Sequence, residues 1–142
     1  MKNYKIIIFG TGTYTEIINQ YLTDDSEYEV VAFTLDDYYI KEDTYLGLPM
    51  VPFSKIEEIY PPKKYFMHIG LSYTNLNHLR EDRYHEAKNK GYTLPTYISS
   101  KATVLTKYPI GDNCFIFENN TIQPFVKIGS NVILWSGNHI GH

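Results

Sequence analysis

Between Val104 and His142 a branched aliphatic residue returns at every sixth position: Val104, Ile110, Ile116, Ile122, Ile128, Leu134 and Ile140. Glycine follows at Gly111, Gly129 and Gly141, and the fifth place of several hexads is small or aliphatic, as at Cys114, Val126 and Val132. A period of six fits neither a helix, whose period is near 3.6, nor an isolated strand, whose period is 2. It fits a solenoid in which each hexad forms a flat face and points its aliphatic residue into a shared core. A β-helix is the expectation for this stretch.

The first hundred residues follow a different rhythm. Lys5-Ile-Ile-Ile-Phe9 reads as a buried parallel strand, and it runs directly into Gly10-Thr11-Gly12. Thr13 and Glu16 have capping-box spacing, and Ile17, Ile18, Tyr21 and Leu22 continue as a helical stripe. A strand, a glycine turn and a helix N-terminus can hold a phosphate, but Thr15 stands where the dinucleotide fingerprint has glycine or alanine. The turn is either a phosphate site or a plain strand–helix connection.

Glu29–Phe33 is the second strand, and Asp36-Asp37 follow it. A carboxylate there either accepts hydrogen bonds from a ribose hydroxyl or base N–H, or ends a solvated turn, and Asp36 is the stronger candidate of the two. A short strand is expected near Pro49–Val51, then a short helix with Ser54 and Glu57 in capping-box spacing, stopped by Pro61-Pro62. Tyr65–Ile69 reads as another strand, with His68 as a packed core residue. A long helix from about Asn75 to Lys90 closes at Gly91. Arg80, early in that helix, either pairs with a phosphate or makes a surface salt bridge. Tyr97–Ser100 is expected as the last strand before the solenoid. Strands alternating with helices point to a parallel sheet with helices packed on it.

Ile110-Gly-Asp-Asn-Cys-Phe, Ile128-Gly-Ser-Asn-Val-Ile and Gly137-Asn-His-Ile-Gly-His142 resemble the hexapeptide-repeat acyltransferases. The match is closest to bacterial sugar acyltransferases of the sialic-acid O-acetyltransferase and bacillosamine-pathway N-acetyltransferase kind. The resemblance implies an α/β chain: a Rossmann-like nucleotide-sugar-binding domain over residues 1–100, then the first coils of a left-handed parallel β-helix over 101–142. It implies acetyl transfer from acetyl-CoA to an amino or hydroxyl group of a nucleotide-linked sugar, in surface-glycan biosynthesis. Gly10, Thr11, Gly12, Asp36, Asp37 and Arg80 would lie at the nucleotide-sugar, the acidic pair beside the nucleotide.

Such a transfer needs a base near neutral pH, which suits histidine. In the family that histidine takes the third place of its hexad, which by register is His142; His139, in the sixth place of the preceding hexad, would line the site. Both histidines can instead cap a turn of the solenoid. The family continues for several more coils that complete the acetyl-CoA groove and a homotrimer. From Val104 the chain offers little more than two coils, a stub roughly 10 Å tall at a coil spacing of about 4.8 Å. Either the chain is a fragment of a longer acyltransferase or the short form packs with other copies, and transfer by this length alone is not expected.

Composition narrows the field. A net charge of −3 with scattered lysines and arginines disfavours a nucleic-acid partner. The apolar run Ile6–Phe9 is too short for a signal peptide or a membrane span, so a cytoplasmic protein is expected. The single cysteine, Cys114, reads as a small buried residue. His78, Glu81 and His85 share a helical face but read as solvated surface, and no metal is expected. Two other readings stand beside the enzyme: a non-enzymatic nucleotide-sugar-binding module, and a dinucleotide-binding protein, which Thr15 disfavours.

Overall fold

The computed structural model describes residues 2–72 and 77–141 (of Asn77, the backbone). The chain divides into two compact units, Met1–Leu94 and Pro95–His142.

Unit one holds a five-stranded sheet: β1 (Tyr4–Phe9), β2 (Tyr28–Leu35), β3 (Thr44–Tyr45), β4 (Leu48–Pro52) and β5 (Phe66–Ile69), in the order β3-β4-β2-β1-β5. The pairs β1–β2, β1–β5 and β2–β4 are parallel, and only β3 runs antiparallel, against β4. The order reverses at β1, so the ends of β1 and β5 frame the point where open parallel sheets leave a crevice. Alternation along β1 serves both faces. Ile7 and Phe9 join a core with Val51, Phe53, Met67 and Ile69, closed by Ile56 of α2 (Ile56–Ile59) and by Tyr84 and Ala87 of α3 (Asn77–Asn89). Ile8 meets Ile18 of α1 (Thr13–Asp24) at Gly70.

The buried stripe of α1 is Tyr14, Ile18 and Leu22, one turn apart, with Thr15 beside Tyr14. Neither expected capping box forms. Gly12 is the N-cap of α1 without a side-chain cap bond, and Ser54 sits inside a short 3-10 segment, Phe53–Lys55, that precedes α2. At the other end of α1, Lys2 Nζ donates to the carbonyls of Leu22, Thr23 and Ser26 at 3.0, 2.7 and 2.6 Å, a cation where the helix presents unpaired carbonyls. The end of α3 is as read from sequence: Gly91, at φ +101°, donates to Lys88 O while Tyr92 donates to Ala87 O. The start read at Asn75 lies outside the described residues.

Unit two is a set of stacked coils. β6 (Tyr97–Ile98), β8 (Phe115–Ile116) and β10 (Ile133–Leu134) form one parallel sheet, and β7 (Thr103–Val104), β9 (Thr121–Ile122) and β11 (His139–Ile140) form a second. Tyr97 pairs with Phe115 and Phe115 with Ile133, so one coil takes eighteen residues, or three hexads. On the third side Gly111 N–H donates to Ile128 O, the same seventeen-residue step by which Tyr97 N–H donates to Cys114 O. Ile116, Ile122 and Val126 form the coil core, against which Val104, Ile110, Ile128, Leu134 and Ile140 pack.

Two details differ from the sequence reading. Tyr97–Ile98 is not the last strand of the first sheet but the first strand of the coils, paired with Phe115–Ile116. The boundary accordingly falls between Leu94 and Pro95 rather than after residue 100. The hexad register extends one step back from Val104, to Ile98.

The coils turn corners on asparagine. Asn113 and Asn131 adopt φ of +51° and +66°, a conformation asparagine tolerates better than other side chains, and Asn113 Nδ2 donates to Asn131 Oδ1 at 2.7 Å. Asn120 is fully buried and donates to Phe117 O and Leu134 O, while Asn138 N–H donates to its Oδ1. Gly111 is needed for closeness: a Cβ there would stand 2.4 Å from Ser130 N and 2.5 Å from Gly129 C.

Candidate functional site

The glycine turn joins β1 to α1. Gly10 and Gly12 have φ of +137° and +107°, which side chains avoid. A Cβ on Gly10 would meet Thr15 Oγ1 at 2.6 Å and Gly70 O at 3.0 Å. Thr15, where the fingerprint has glycine or alanine, is fully buried and donates its hydroxyl to Gly70 O at 3.1 Å. It ties α1 to the end of β5 by a hydrogen bond where a smaller residue would do so by close packing.

The outer half of the turn is already engaged. Gly12 N–H donates to the Tyr45 hydroxyl at 2.9 Å, and that hydroxyl donates to Glu16 Oε2 at 3.0 Å. Tyr45 arrives on a two-residue hairpin, Leu46-Gly47, whose φ values of +50° and +79° match a type I′ turn. Its ring meets Phe33 edge-on at 4.9 Å. Burial raises the Tyr45 hydroxyl above the usual phenol value, and the Glu16 carboxylate adds to the rise. Sequence reading missed Tyr45; the Leu46-Gly47 step was its visible signal.

Beside the turn lies a cleft of about 330 Å³, lined among others by Thr11, Leu35, Tyr39, Tyr45 and Met50, with Lys41 and Glu42 also in its wall. Its wall takes in Thr11, just after β1, and Leu35, at the end of β2, so it lies on the β2 side of β1 and not at the crevice between β1 and β5. Tyr38 and Tyr39, just after β2, are strongly exposed and contact each other edge-on.

The acidic pair has partners. Arg83 grips Asp36 with two hydrogen bonds, Nε to Oδ1 at 2.8 Å and Nη2 to Oδ2 at 2.7 Å, and its Nη1 donates to Glu86 at 2.9 Å. The Asp36 hydrogen bonds hold Arg83 above its ordinary value. Asp37 accepts from the Ser54 hydroxyl at 2.5 Å and from Ser54 N–H at 3.3 Å, and the hydroxyl bond lowers its carboxyl. Both carboxylates thus tie the end of β2 to neighbouring elements.

Arg80 is almost wholly buried, and its Nη1 donates to Ile69 O at 3.0 Å and to Leu71 O. It pins the chain leaving β5 rather than standing on the surface. His68 is buried in β5, as read. Glu81 and His85 are exposed, 3.8 Å apart, and no group of three metal-ligating side chains gathers among the described residues.

In unit two His139 is exposed at the start of β11, paired across to Thr121. His142 lies outside the described residues. Cys114 is buried, its Sγ 3.1 Å from Gly129 O. A second cleft of about 380 Å³ is lined by Leu105, Lys107, Tyr108, Pro124 and Phe125. Among the described residues no helix is long and apolar enough to cross a membrane.

Residues 110–142 match the family of bacterial transferase hexapeptides (six repeats). No curated protein matches the chain in sequence. Solved structures do match in fold. The acetyltransferase domain of PglB from Neisseria gonorrhoeae FA1090, in complex with acetyl coenzyme A, superposes with a TM-score of 0.80 at 19% identity, over 99% of this chain and 65% of that one. PerB from Caulobacter crescentus, in complex with CoA and GDP-perosamine, gives 0.77 at 19% identity over 95% and 63%. A mutant perosamine N-acetyltransferase from the same organism, with the same two ligands, gives 0.77 at 19% identity over 96% and 62%. The chain therefore spans less than two thirds of the length of these structures. Residues 110–142 thus carry the hexapeptide repeat of bacterial transferases, and the chain shares its fold with these acetyltransferase structures.

Proposed function

We propose that this chain belongs to a sugar-nucleotide acetyltransferase, which moves an acetyl group from acetyl-CoA to an amino or hydroxyl group of a nucleotide-linked sugar for bacterial surface glycans. The observation that carries this reading is the pairing of a parallel α/β sheet with eighteen-residue coils, the fold of structures that hold acetyl-CoA or CoA and GDP-perosamine. In this reading unit one is Rossmann-like and binds the nucleotide-sugar, and the coils form a left-handed β-helix that carries the acyl donor.

The nucleoside part sits in the cleft lined by Thr11, Leu35, Tyr39, Tyr45 and Met50, whose mix of aromatic, aliphatic and hydroxyl groups suits a base and a ribose. Gly10 and Gly12 shape the turn that carries Thr11 into its wall. Asp36, Asp37 and Arg80 act through the backbone they hold, by way of Arg83, Ser54 and the carbonyls after β5. His142, by register, takes the proton from the sugar amine or hydroxyl as its nitrogen or oxygen attacks the thioester carbonyl, and CoA leaves as the thiol. His139 lines the same site. A homotrimer through the coils is part of this reading, supported by the exposed Leu105, Tyr108 and Phe125 of unit two. Acetyl-CoA as donor makes the cytoplasm the place of reaction.

The test is release of CoA thiol from acetyl-CoA in the presence of UDP-, GDP- or dTDP-linked amino sugars. Release that depends on one nucleotide-sugar and is lost in His142→Ala supports the enzyme. Tight nucleotide-sugar binding with no thiol release, even when coils matching the rest of the solved structures are appended to the chain, would favour a non-enzymatic binding module instead.

A further inference from the structure

A glycine turn at a helix N-terminus ordinarily offers backbone N–H groups and a positive dipole end to an anion. Here the Gly12 N–H is already given to the Tyr45 hydroxyl at 2.9 Å. The same hydroxyl donates to Glu16 at 3.0 Å, which keeps a carboxylate in the first turn of α1, close to where a phosphate would sit. A phosphate at this turn would lose one N–H donor and meet a negative charge.

A phenol has one donor hydrogen and two acceptor positions. With the hydrogen spent on Glu16 and one lone pair on Gly12, what Tyr45 keeps is acceptor capacity alone. That capacity suits a ribose O–H or a base N–H and does nothing for a phosphate oxygen. Tyr45 also lines the cleft, together with Thr11, the chain neighbour of the Gly12 whose N–H its hydroxyl accepts.

We propose that Tyr45 is a specificity-determining residue: by engaging Gly12 and Glu16 it closes the glycine turn to phosphate and leaves the adjoining cleft to the nucleoside part of the ligand. The diphosphate then leads away from the turn. This rests on unit one being the nucleotide-sugar site, but the closure of the turn is testable without it.

The experiment is isothermal titration of inorganic pyrophosphate, at one salt concentration, into the wild-type chain, Tyr45→Phe and Tyr45→Phe/Glu16→Gln. Phenylalanine keeps the ring against Phe33 while freeing the Gly12 N–H, and glutamine removes the charge. The double variant should bind pyrophosphate at least tenfold more tightly than wild type. Equal affinity in the two proteins overturns the proposal. Should Tyr45→Phe fail to fold by circular dichroism, Glu16→Gln alone, which still accepts from Tyr45, should gain about threefold by losing the charge, and no gain overturns it. A parallel titration with uridine and guanosine should show Tyr45→Phe weakening whichever binds by several-fold. If no nucleoside and no nucleotide-sugar binds wild type, the functional reading fails while the pyrophosphate comparison still judges Tyr45.

Discussion

The two units hold their shape by opposite means. In the coils each contact recurs eighteen residues later: Tyr97, Phe115 and Ile133 share one sheet, Thr103, Thr121 and His139 the other, and Asn113 bonds to its equivalent Asn131. In the sheet unit nothing recurs. Its key contacts join residues far apart in sequence, as Thr15 does with Gly70, Asp36 with Arg83 and Gly12 with Tyr45. A repeated core spreads its stability over equivalent positions, whereas an unrepeated one concentrates it in single pairs. The coils should therefore respond to substitution by column, and the sheet unit by partner.

The largest effect is expected at the coil core. Ile122→Ala removes a fully buried side chain and should cost about 4 kcal/mol by chemical denaturation, enough to lose the coils' β signal at modest denaturant. Gly111→Ala should cost about 3 kcal/mol, because the added Cβ presses on backbone of the next coil, which cannot move aside. Gly129→Ala, one coil on in the same column with open space around it, should be tolerated; equal losses at the two glycines would break the account of coil packing.

In the sheet unit the strongest single position is Arg80. Arg80→Met leaves the Ile69 and Leu71 carbonyls short of a buried donor and should cost about 2 to 3 kcal/mol in thermal unfolding. Asp36→Asn weakens a bidentate but partly exposed ion pair and should cost about 1 kcal/mol; nucleotide-sugar affinity falling by orders of magnitude at unchanged stability would instead make Asp36 a direct ligand.

The smallest effect is in acid. Lys90 reaches both Glu57 oxygens at 2.9 Å. Burial pushes the Glu57 carboxyl up, but the hydrogen bond and charge of Lys90 outweigh it and hold it below the usual value. A carboxyl lowered on folding contributes stability above its unfolded-state pKa and loses it as pH falls through the folded-state value. Glu57→Gln should therefore be slightly less stable than wild type at neutral pH, by under about 1 kcal/mol, and match it below the folded-state value. A gap that persists at low pH would show that the pair acts by packing.

The same contrast explains what was legible in the sequence. Seven aliphatics at every sixth place announced the coils, because in a solenoid the neighbour in space is a fixed distance away in the chain, and all seven enter one core. Ile98 sits in the same register, yet Tyr97–Ser100 also resembles a sheet strand, and local pattern could not separate the two. The strands and the Gly91 helix end of unit one were equally local signals. The occupancy of the site residues was not. Nothing near Asp36 in sequence reveals Arg83, nothing near Arg80 reveals that it turns inward to two carbonyls, and nothing near Gly12 reveals Tyr45. The expected caps at Thr13 and Ser54 failed for the same reason: Glu16 serves Tyr45, and Ser54 serves Asp37.

The central claim is that the sheet unit holds a nucleotide-sugar in the cleft beside the glycine turn. Isothermal titration of the purified chain with UDP-, GDP- and dTDP-sugars tests it most directly, with Met50→Trp as a variant that fills the cleft. The account predicts saturable binding of one nucleotide-sugar by wild type and its loss in the filled variant at unchanged secondary structure. Binding of none, or binding that the filled cleft leaves untouched, would contradict it.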